Sequence, residues 1–565
     1  MARLAVSVGV SPANGISPSF ISALDVTCGG VLLALPALLA VGLLRHTDDH
    51  FELPNGYYSL SSIFLLLAFL SLGRINSLEQ LRYEPPGEWG KLLGLDRIPE
   101  VRTLRDKIKH LAEHGQPVPW SAALCRDWME AAPEQAQACY IDGHIRVYHG
   151  KQTKLSKHYV SRQRLCLRAT ADYWVNAMDG QPFFVVTQSI DPGLIKVLEE
   201  QIIPRLSKDI PDQPTTSQLA ADQLQHRFMV IFDREGYSPA LMDRLWQQRI
   251  AALTYRKRPG EDWPHTEFSS HEVILVGGET VTMQLAERGV NLGGIIWVRE
   301  IRRLTTSGHQ TAIVTTWYNG SLPRIAATMF ARWSQENFFA YMRNHYGLDK
   351  LVGYGTESVH DTTPVINPAY RSIDGEIRRK RSTLQRLAAQ FGGIGLEGEI
   401  SPDKVSAYEV RKAALQEEIT ALDQELASLK TQRKTVKRHI TFAELPEEAR
   451  FQRLTVHNKH MIDTIKMVSY RAETAMSHIL TEKMARTDDA RALLRSIYTK
   501  EADLMPDEEK GTLTVRLHNM TNRAHDAAVA HLCAELNATE TTYPGTNLRL
   551  IYELVSSKNT GDQEF

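Results

Sequence analysis

The sequence has no cysteine pattern that would support a disulfide framework or a zinc site. Its five cysteines (Cys28, Cys125, Cys139, Cys166, Cys533) are scattered, odd in number and never spaced Cys-x2-Cys. A reducing compartment, the cytoplasm, is therefore expected. Net charge is also missing: 65 Lys and Arg stand against 66 Asp and Glu, a formal charge of −1. Bulk charge thus selects no partner, and local patches must decide. Long apolar runs are absent too. Residues 31–44, VLLALPALLAVGLL, are broken by Pro36 and Gly42, and 63–70, IFLLLAFL, are shorter still. A membrane span needs about 20 apolar residues, so both read as buried core helices and no membrane partner is expected. The first residues, rich in Ser, Pro and Gly, lack a charged segment leading into an apolar core, so no secretory leader is expected. The sequence contains no internal repeat and no long low-complexity tract.

What is present is the composition of a globular protein, 43% hydrophobic and 23% charged. A chain of 565 residues holds roughly three to four domains by the usual length relation. Residues 1–130 read as mostly helical, with a turn at Pro54-Asn55-Gly56 and a charged amphipathic helix over 98–115. From 139 the hydrophobic period changes to that of strands. CYIDGHIRVYHG (139–150) is a strand, and RLCLRATADYWVNAMDG (164–180) and QPFFVVTQSI (181–190) give two more, with a turn at Met178-Asp179-Gly180-Gln181. DPGLIKVLEEQIIPRL (191–206) is a helix, RFMVIFD (227–233) a buried strand, and Ser238-Pro239 starts another helix. IAALTYRK (250–257) is the next strand, completing the first part of an α/β core over 131–257. Residues 258–320 read as a β-rich insertion, and the core resumes over 321–365 with a helix at 323–347. Over 366–445, Leu415, Ile419, Leu422, Leu426 and Leu429 recur at 4-3-4-3 spacing. An antiparallel helical hairpin and a coiled-coil dimer seam both satisfy that pattern. Residues 446–565 read as a C-terminal helical region with a disordered tail after about 555.

The chemistry centres on carboxylates in apolar strands. Asp142 sits within CYIDGHIRVYHG, and Asp233 ends VIFD. A carboxylate in such a strand costs free energy unless it is hydrogen-bonded, paired or metal-bound. Ligands of open α/β sheets gather at the carboxyl ends of strands, and if the first and fourth strands lie side by side the two aspartates converge. Two carboxylates held close repel unless cations lie between them, and paired divalent ions about 3.5–4 Å apart serve phosphodiester chemistry. Glu336 is the candidate third acid. At 100° per residue, Met329, Arg332 and Arg343 fall within about 40° of it on the helix. Arg332 and Arg343 on that stripe suit DNA phosphates. Glu235, two residues past Asp233, is the rival third acid. His144 reads as a metal-site assistant or as a turn cap.

Taken together, YIDGH around Asp142, VIFDREGYSP around Asp233 and Arg332-x3-Glu336-x6-Arg343 carry a family likeness. The sequence resembles bacterial insertion-sequence transposases with an RNase H-like DDE catalytic domain. More narrowly, it is similar to the subgroup with a β-rich insertion before the catalytic glutamate and a Tyr-x2-Arg-x3-Glu-x6-Lys signature. It departs at two positions: Met329 stands for the tyrosine and Arg343 for the lysine. The resemblance implies an RNase H-like mixed sheet with a β-rich insertion, flanked by N- and C-terminal all-α regions. It implies that Asp142, Asp233 and Glu336 bind two Mg2+ ions, with Mn2+ able to substitute, for cleavage at transposon ends and strand transfer of the 3′-OH. The partners it implies are double-stranded DNA (terminal inverted repeats and target) and a homodimer or higher assembly on paired ends. The implied location is the bacterial cytoplasm, at the nucleoid. A metal-dependent endonuclease without strand transfer and an inactive DNA-binding scaffold are the alternatives.

Residues 149–168 hold Lys151, Lys154, Lys157 and Arg162 with no acid among them, a DNA-backbone track or a solvated loop. Tyr255, Arg256 and Lys257 form a second basic cluster, and Arg302 follows Trp297 in the insertion. Relatives with such an insertion stack a tryptophan on a flipped base. Trp297 and Trp317 are the candidates, with core packing the other reading.

Overall fold

The computed structural model describes residues 15–150, 153–160, 163–275, 278–330, 333–350, 353, 355–395, 402–484 and 486–555. The chain forms two units. The larger comprises Met1–Tyr148, His158–Gly355 and Thr455–Phe565, and the smaller His149–Lys157 and Thr356–Leu454. The chain is mixed α/β.

In the N-terminal part of the larger unit, α1 (Leu60–Leu72) is capped by Ser59, whose side chain accepts from Ser62 N at 3.1 Å. Its apolar run Ile63–Leu70 is buried throughout. No helix among the described residues is long and apolar enough to cross a membrane. Helix α2 (Pro117–Ala131) starts with proline in its first turn, where the missing N–H costs nothing.

The strands that follow are β1 (Ala138–Val147), β2 (Leu165–Asn176), β3 (Pro182–Gln188), β4 (Phe228–Phe232), and, after helix α3 (Pro239–Gln247), β5 (Ile250–Tyr255). Helix α3 is capped by the Ser238 side chain, which accepts from Leu241 N. The insertion supplies β6 (Ser269–Ile274), β7 (Thr280–Leu292), β8 (Ile296–Leu304) and β9 (Gln310–Thr315). All nine join one sheet in the order β3-β2-β1-β4-β5-β9-β8-β7-β6, with the short strand Lys157–Val160 also pairing β2. β1 runs antiparallel to β2, and β2 to β3, while β1, β4 and β5 are mutually parallel. The insertion is therefore an extension of the core sheet: β9 pairs antiparallel with β5 through Leu253↔Thr315, Thr254↔Val314 and Tyr255↔Ile313.

Strand alternation sorts side chains between the two faces. Tyr140, Met229, Ile231, Ala251 and Leu253 share one face and pack with Ile325 and Met329 of α4 (Leu322–Phe330). The sequence reads 323–347 as a single helix. The described residues on either side of 331–332 are helical, as α4 and as α5 (Trp333–Tyr346), and 331–332 lie outside the described residues.

The smaller unit is built on α6 (Pro368–Gly393) and α7 (Pro402–Thr435). The two helices pack on each other through Ile373, Ile377 and Leu426, with Leu384, Leu429 and Val436 beside them. Strands flanking the pair, Pro364–Ile366 and His439–Thr441, are antiparallel and close its base. Of the two arrangements the heptad pattern allows, the chain adopts the hairpin.

Helix α8 (His457–Thr481) returns the chain to the larger unit, followed by α9 (Thr487–Tyr498). Most of α8 is buried, charged residues included: Lys459, Asp463, Lys466, Arg471 and Glu473 are all inside. The flanking regions are not all-α as the sequence reading has them. Ala23–Val26 pairs with Ala502–Asp507, which continues through Thr512–Leu517 to Arg549–Leu554 in a four-stranded sheet. Thr512–Leu517 alternates half-buried and buried positions, a strand signature that lies beyond the helical run at 446–500. The expected disordered tail falls on 556–565, outside the described residues.

Candidate active site

The parallel register between β1 and β4 runs Ala138↔Met229, Cys139↔Val230, Tyr140↔Ile231, Ile141↔Phe232. One residue further on each strand stand Asp142 and Asp233. They are two residues past Tyr140 and Ile231, so both project to the face that α4 covers. Neighbouring strands lie about 4.8 Å apart, so the two aspartates stand next to one another, Asp142 midway along β1 and Asp233 just past the carboxyl end of β4. Local hydrogen bonds fix each one. Asp142 Oδ1 accepts from Gly143 N at 2.9 Å, and Asp233 Oδ1 accepts from Glu235 N at 2.8 Å. The Asp233 carbonyl accepts from Thr254 Oγ1 on β5 at 3.0 Å. Gly236 is needed for this turn to close, because a Cβ there would meet the Phe232 ring at 2.5 Å. Gly143 is needed opposite Tyr173, whose ring a Cβ would meet at 3.2 Å.

Helix α5 docks beside Asp142. Trp174 is the β2 register partner of Asp142, and it packs on Phe338 at 5.3 Å and Phe339 at 6.3 Å. Phe339 also stacks on His144 at 5.5 Å. Glu336, exposed in the first turn of α5, lies one helical turn before Phe339. The structure therefore brings Asp142 and Asp233 together and puts Glu336 on the helix that packs against their neighbours. His144 is tied to Asp349, Nε2 to Oδ1 at 2.5 Å.

Two more acids crowd this end of the sheet. Asp191 accepts from Tyr173 Oη at 2.6 Å and from Gly193 N at 2.8 Å, and faces His158 at 3.7 Å. Partial burial of the Glu235 carboxyl, and after it the charges of Asp191, Asp233 and Asp142, push it up to about 7. The outer surface of Glu235 reaches solvent, and four carboxylates gather here. Sequence reasoning missed Asp191, because an acid before Pro-Gly reads as a helix-start residue.

A contrasting site surrounds Glu473 on α8, which is fully buried. Its oxygens accept from Arg74 Nη2 at 2.8 and 2.9 Å and from the hydroxyls of Tyr341 and Tyr346 on α5, with Arg491 Nη1 at 4.0 Å. Burial alone would raise this carboxyl. The charges of Arg74 and Arg491 and the two tyrosine hydrogen bonds outweigh it and hold Glu473 below the ordinary range. A third group, Asp25, Asp503 and His518, lines a cavity of about 250 Å³ with Leu24, Asn519 and Val555. His518 Nε2 bridges the two aspartates at 3.4 and 3.2 Å, an ion-paired cluster.

The basic and aromatic candidates divide. Lys151, Arg162 and Arg332 lie outside the described residues. Lys154, Lys157 and Lys257 are exposed, and the Lys154 ammonium donates to the Glu448 carbonyl. Arg343 is half-buried, with Nε donating to Phe339 O at 3.3 Å. Tyr255 is half-buried, with Arg234 5.7 Å above its ring. Arg302 is corrected. It is 1% exposed and its guanidinium donates to Glu300, Glu261 O, Pro259 O and Gln310, so it faces the interior rather than DNA. Arg256 pairs with the same buried Glu300. Trp317 is 7% exposed and belongs to the core packed on α4, so core packing is its role. Trp297 is 63% exposed, next to the β7–β8 turn.

No match was found among curated proteins. Residues 3–556 match the model of a family described as Transposase protein. That match runs through the aspartate pair, the insertion, the helical hairpin and the C-terminal helices alike, and the chain belongs to this transposase family.

Proposed function

We propose that this transposase is a DDE enzyme with an RNase H-like core, in which Asp142, Asp233 and Glu336 form the catalytic set. The observation that carries the reading is the parallel β1–β4 register through Ile141↔Phe232, which puts Asp142 and Asp233 one residue further along the two neighbouring chain segments. The strand order β3-β2-β1-β4-β5, with the first three antiparallel and the last two parallel to β1, supports it.

The residues fit a divalent cation. Their donors are hard carboxylate oxygens, which suit Mg2+ and Mn2+. Asp191 and Glu235 add further negative charge that a cation would offset. Asp142, Asp233 and Glu336 would hold two Mg2+ ions, with Mn2+ substituting. Bound there, such ions supply Lewis-acid activation of water and charge stabilisation at a leaving 3′ oxygen. The chain's own work is positional. Gly143 N and Glu235 N fix the two aspartates, and Trp174 with His144 seats α5 so that Glu336 stays at the same end of the sheet. Arg343, on the stripe of Glu336, and exposed Trp297 are the groups offered to DNA. Substrates are the terminal inverted repeats and target DNA, handled by a homodimer or larger assembly in the cytoplasm, at the nucleoid.

The test uses labelled transposon-end DNA, both uncut and pre-cut, with Mg2+. The wild type cuts the first and joins the second to target DNA. Asp142→Ala, Asp233→Ala and Glu336→Ala each bind DNA normally but do neither. A variant that cuts at wild-type rate removes that residue from the set, and cutting without joining assigns the protein to the endonucleases.

A further inference from the structure

Charge is segregated along the hairpin of the smaller unit. The distal stretch of α7, residues 402–425, carries Asp403, Glu409, Glu417, Glu418, Asp423 and Glu425 against Lys404, Arg411 and Lys412. The next stretch, 426–443, carries Lys430, Arg433, Lys434, Lys437 and Arg438 with no acid at all. Antiparallel packing brings that basic end to the start of α6.

Hydrogen bonds gather further cations at the same place. Asn367, the cap of α6, donates from N to Arg438 O at 3.0 Å and from Nδ2 to Lys437 O at 3.0 Å. One turn along, Arg371 Nη2 donates to Lys157 O at 3.3 Å. Lys157, Arg371, Lys434, Lys437 and Arg438 are all exposed. Two of the acids nearby, Asp374 and Glu444, are already engaged. Asp374 pairs with Arg433 at 2.6 Å and Arg378 at 2.9 Å. Glu444 accepts from Thr441 N at 2.6 Å, and its carboxyl is held low first by that backbone bond and only last by Lys437. A chain near electroneutrality that concentrates five exposed cations at the base of the hairpin, with no acid over 426–443, has built a local positive field. Such a field selects a polyanion.

We infer that the base of the α6–α7 hairpin, through Lys157, Arg371, Lys434, Lys437 and Arg438, is a binding surface for the phosphate backbone of double-stranded DNA. The inference rests on the transposase reading for the identity of the polyanion and is independent of the catalytic assignment. Contacts to phosphates carry no base information, so this surface sets affinity and salt dependence rather than sequence choice.

The experiment measures binding of the full chain to a labelled duplex between 50 and 300 mM KCl. Each phosphate contact contributes about 0.9 to the slope of log K against log salt. The variant Lys434→Gln/Lys437→Gln/Arg438→Gln is expected to flatten that slope by roughly 2 to 3 and to weaken low-salt binding by tenfold or more. The charge-keeping variant Lys434→Arg/Lys437→Arg is expected to retain the wild-type slope. Glu417→Gln/Glu418→Gln, midway along α7, is expected to leave it unchanged. An unchanged slope in the Gln variant overturns the inference, as does equal loss in the Gln and Arg variants, which marks a folding defect rather than lost charge. If Asp142→Ala still cleaves DNA while the slope change persists, the catalytic reading fails and this surface stands.

Discussion

The larger unit treats its acids in two opposite ways. At Glu473, one carboxylate meets Arg74, Arg491 and two tyrosine hydroxyls, and its ionised form is favoured. Beside the end of β4, Asp142, Asp233, Glu235 and Asp191 gather, and partial burial first, then the neighbouring charges, push Glu235 up to about 7. Folding alone explains the first arrangement: a charge left unpaired inside the protein is costly, so the chain brings its partners. The second crowds like charges, which raises the free energy of the native state, and on the proposed reading a cation would offset it.

The largest expected effects separate the two regions by what they disrupt. Asp142→Ala or Asp233→Ala should lower end cleavage by about a thousandfold or more, the several kcal/mol that metal-centred charge stabilisation supplies, while the melting temperature holds or rises. Glu473→Ala should do the reverse at the level of stability. It strands Arg74 and two tyrosine hydroxyls, and should cost about 3–5 kcal/mol in denaturant titration. Tyr346→Phe, removing one hydrogen bond from the same node, should cost about 1 kcal/mol. If Glu473→Ala is neutral, the node is not structural and the comparison loses one side.

Smaller and more diagnostic is the pH dependence, which has opposite sign in the two regions. Glu473 has a lowered folded pKa, so its contribution is present above the ordinary carboxylate range and is lost as pH falls through the folded value. The wild-type advantage over Glu473→Gln should therefore shrink toward acid pH. Glu235 has a raised folded pKa, so the native state is penalised progressively as pH rises from 4.5 to about 7. Glu235→Gln should melt like wild type near pH 4 and higher than wild type at pH 8, and saturating Mg2+ should narrow that gap. A gap independent of pH would mean that repulsion among the acids is not its cause.

How much of this the sequence discloses depends on the kind of signal. Asp142 and Asp233 were legible because an acid in an otherwise apolar strand violates a local rule, and β-strand patterning placed them on the first and fourth strands. The β-rich insertion was legible as strands, but not as an extension of the core sheet, since the β5–β9 pairing joins distant residues through no turn signal. Glu473 was invisible. Helix α8 buries Lys459, Asp463 and Arg471 as well as its apolar residues, so it has no polar face to mark which side is inside. Arg256 and Arg302 misled because basic residues in a strand read as surface. Their partner, Glu300, sits on the same strand as Arg302, and burial reversed the expectation. The hairpin was recoverable from its heptads, but choosing it over a dimer seam needed the antiparallel strands at its base.

The central claim is that the paired aspartates and Glu336 are a cation site rather than a packing accident. Titration of Mn2+ into the full chain, followed by electron paramagnetic resonance, tests it most directly. The account predicts two bound Mn2+ per wild-type chain in the presence of end DNA, and loss of both in Asp142→Asn/Asp233→Asn with the fold intact. Equal Mn2+ binding by wild type and the double variant would contradict it.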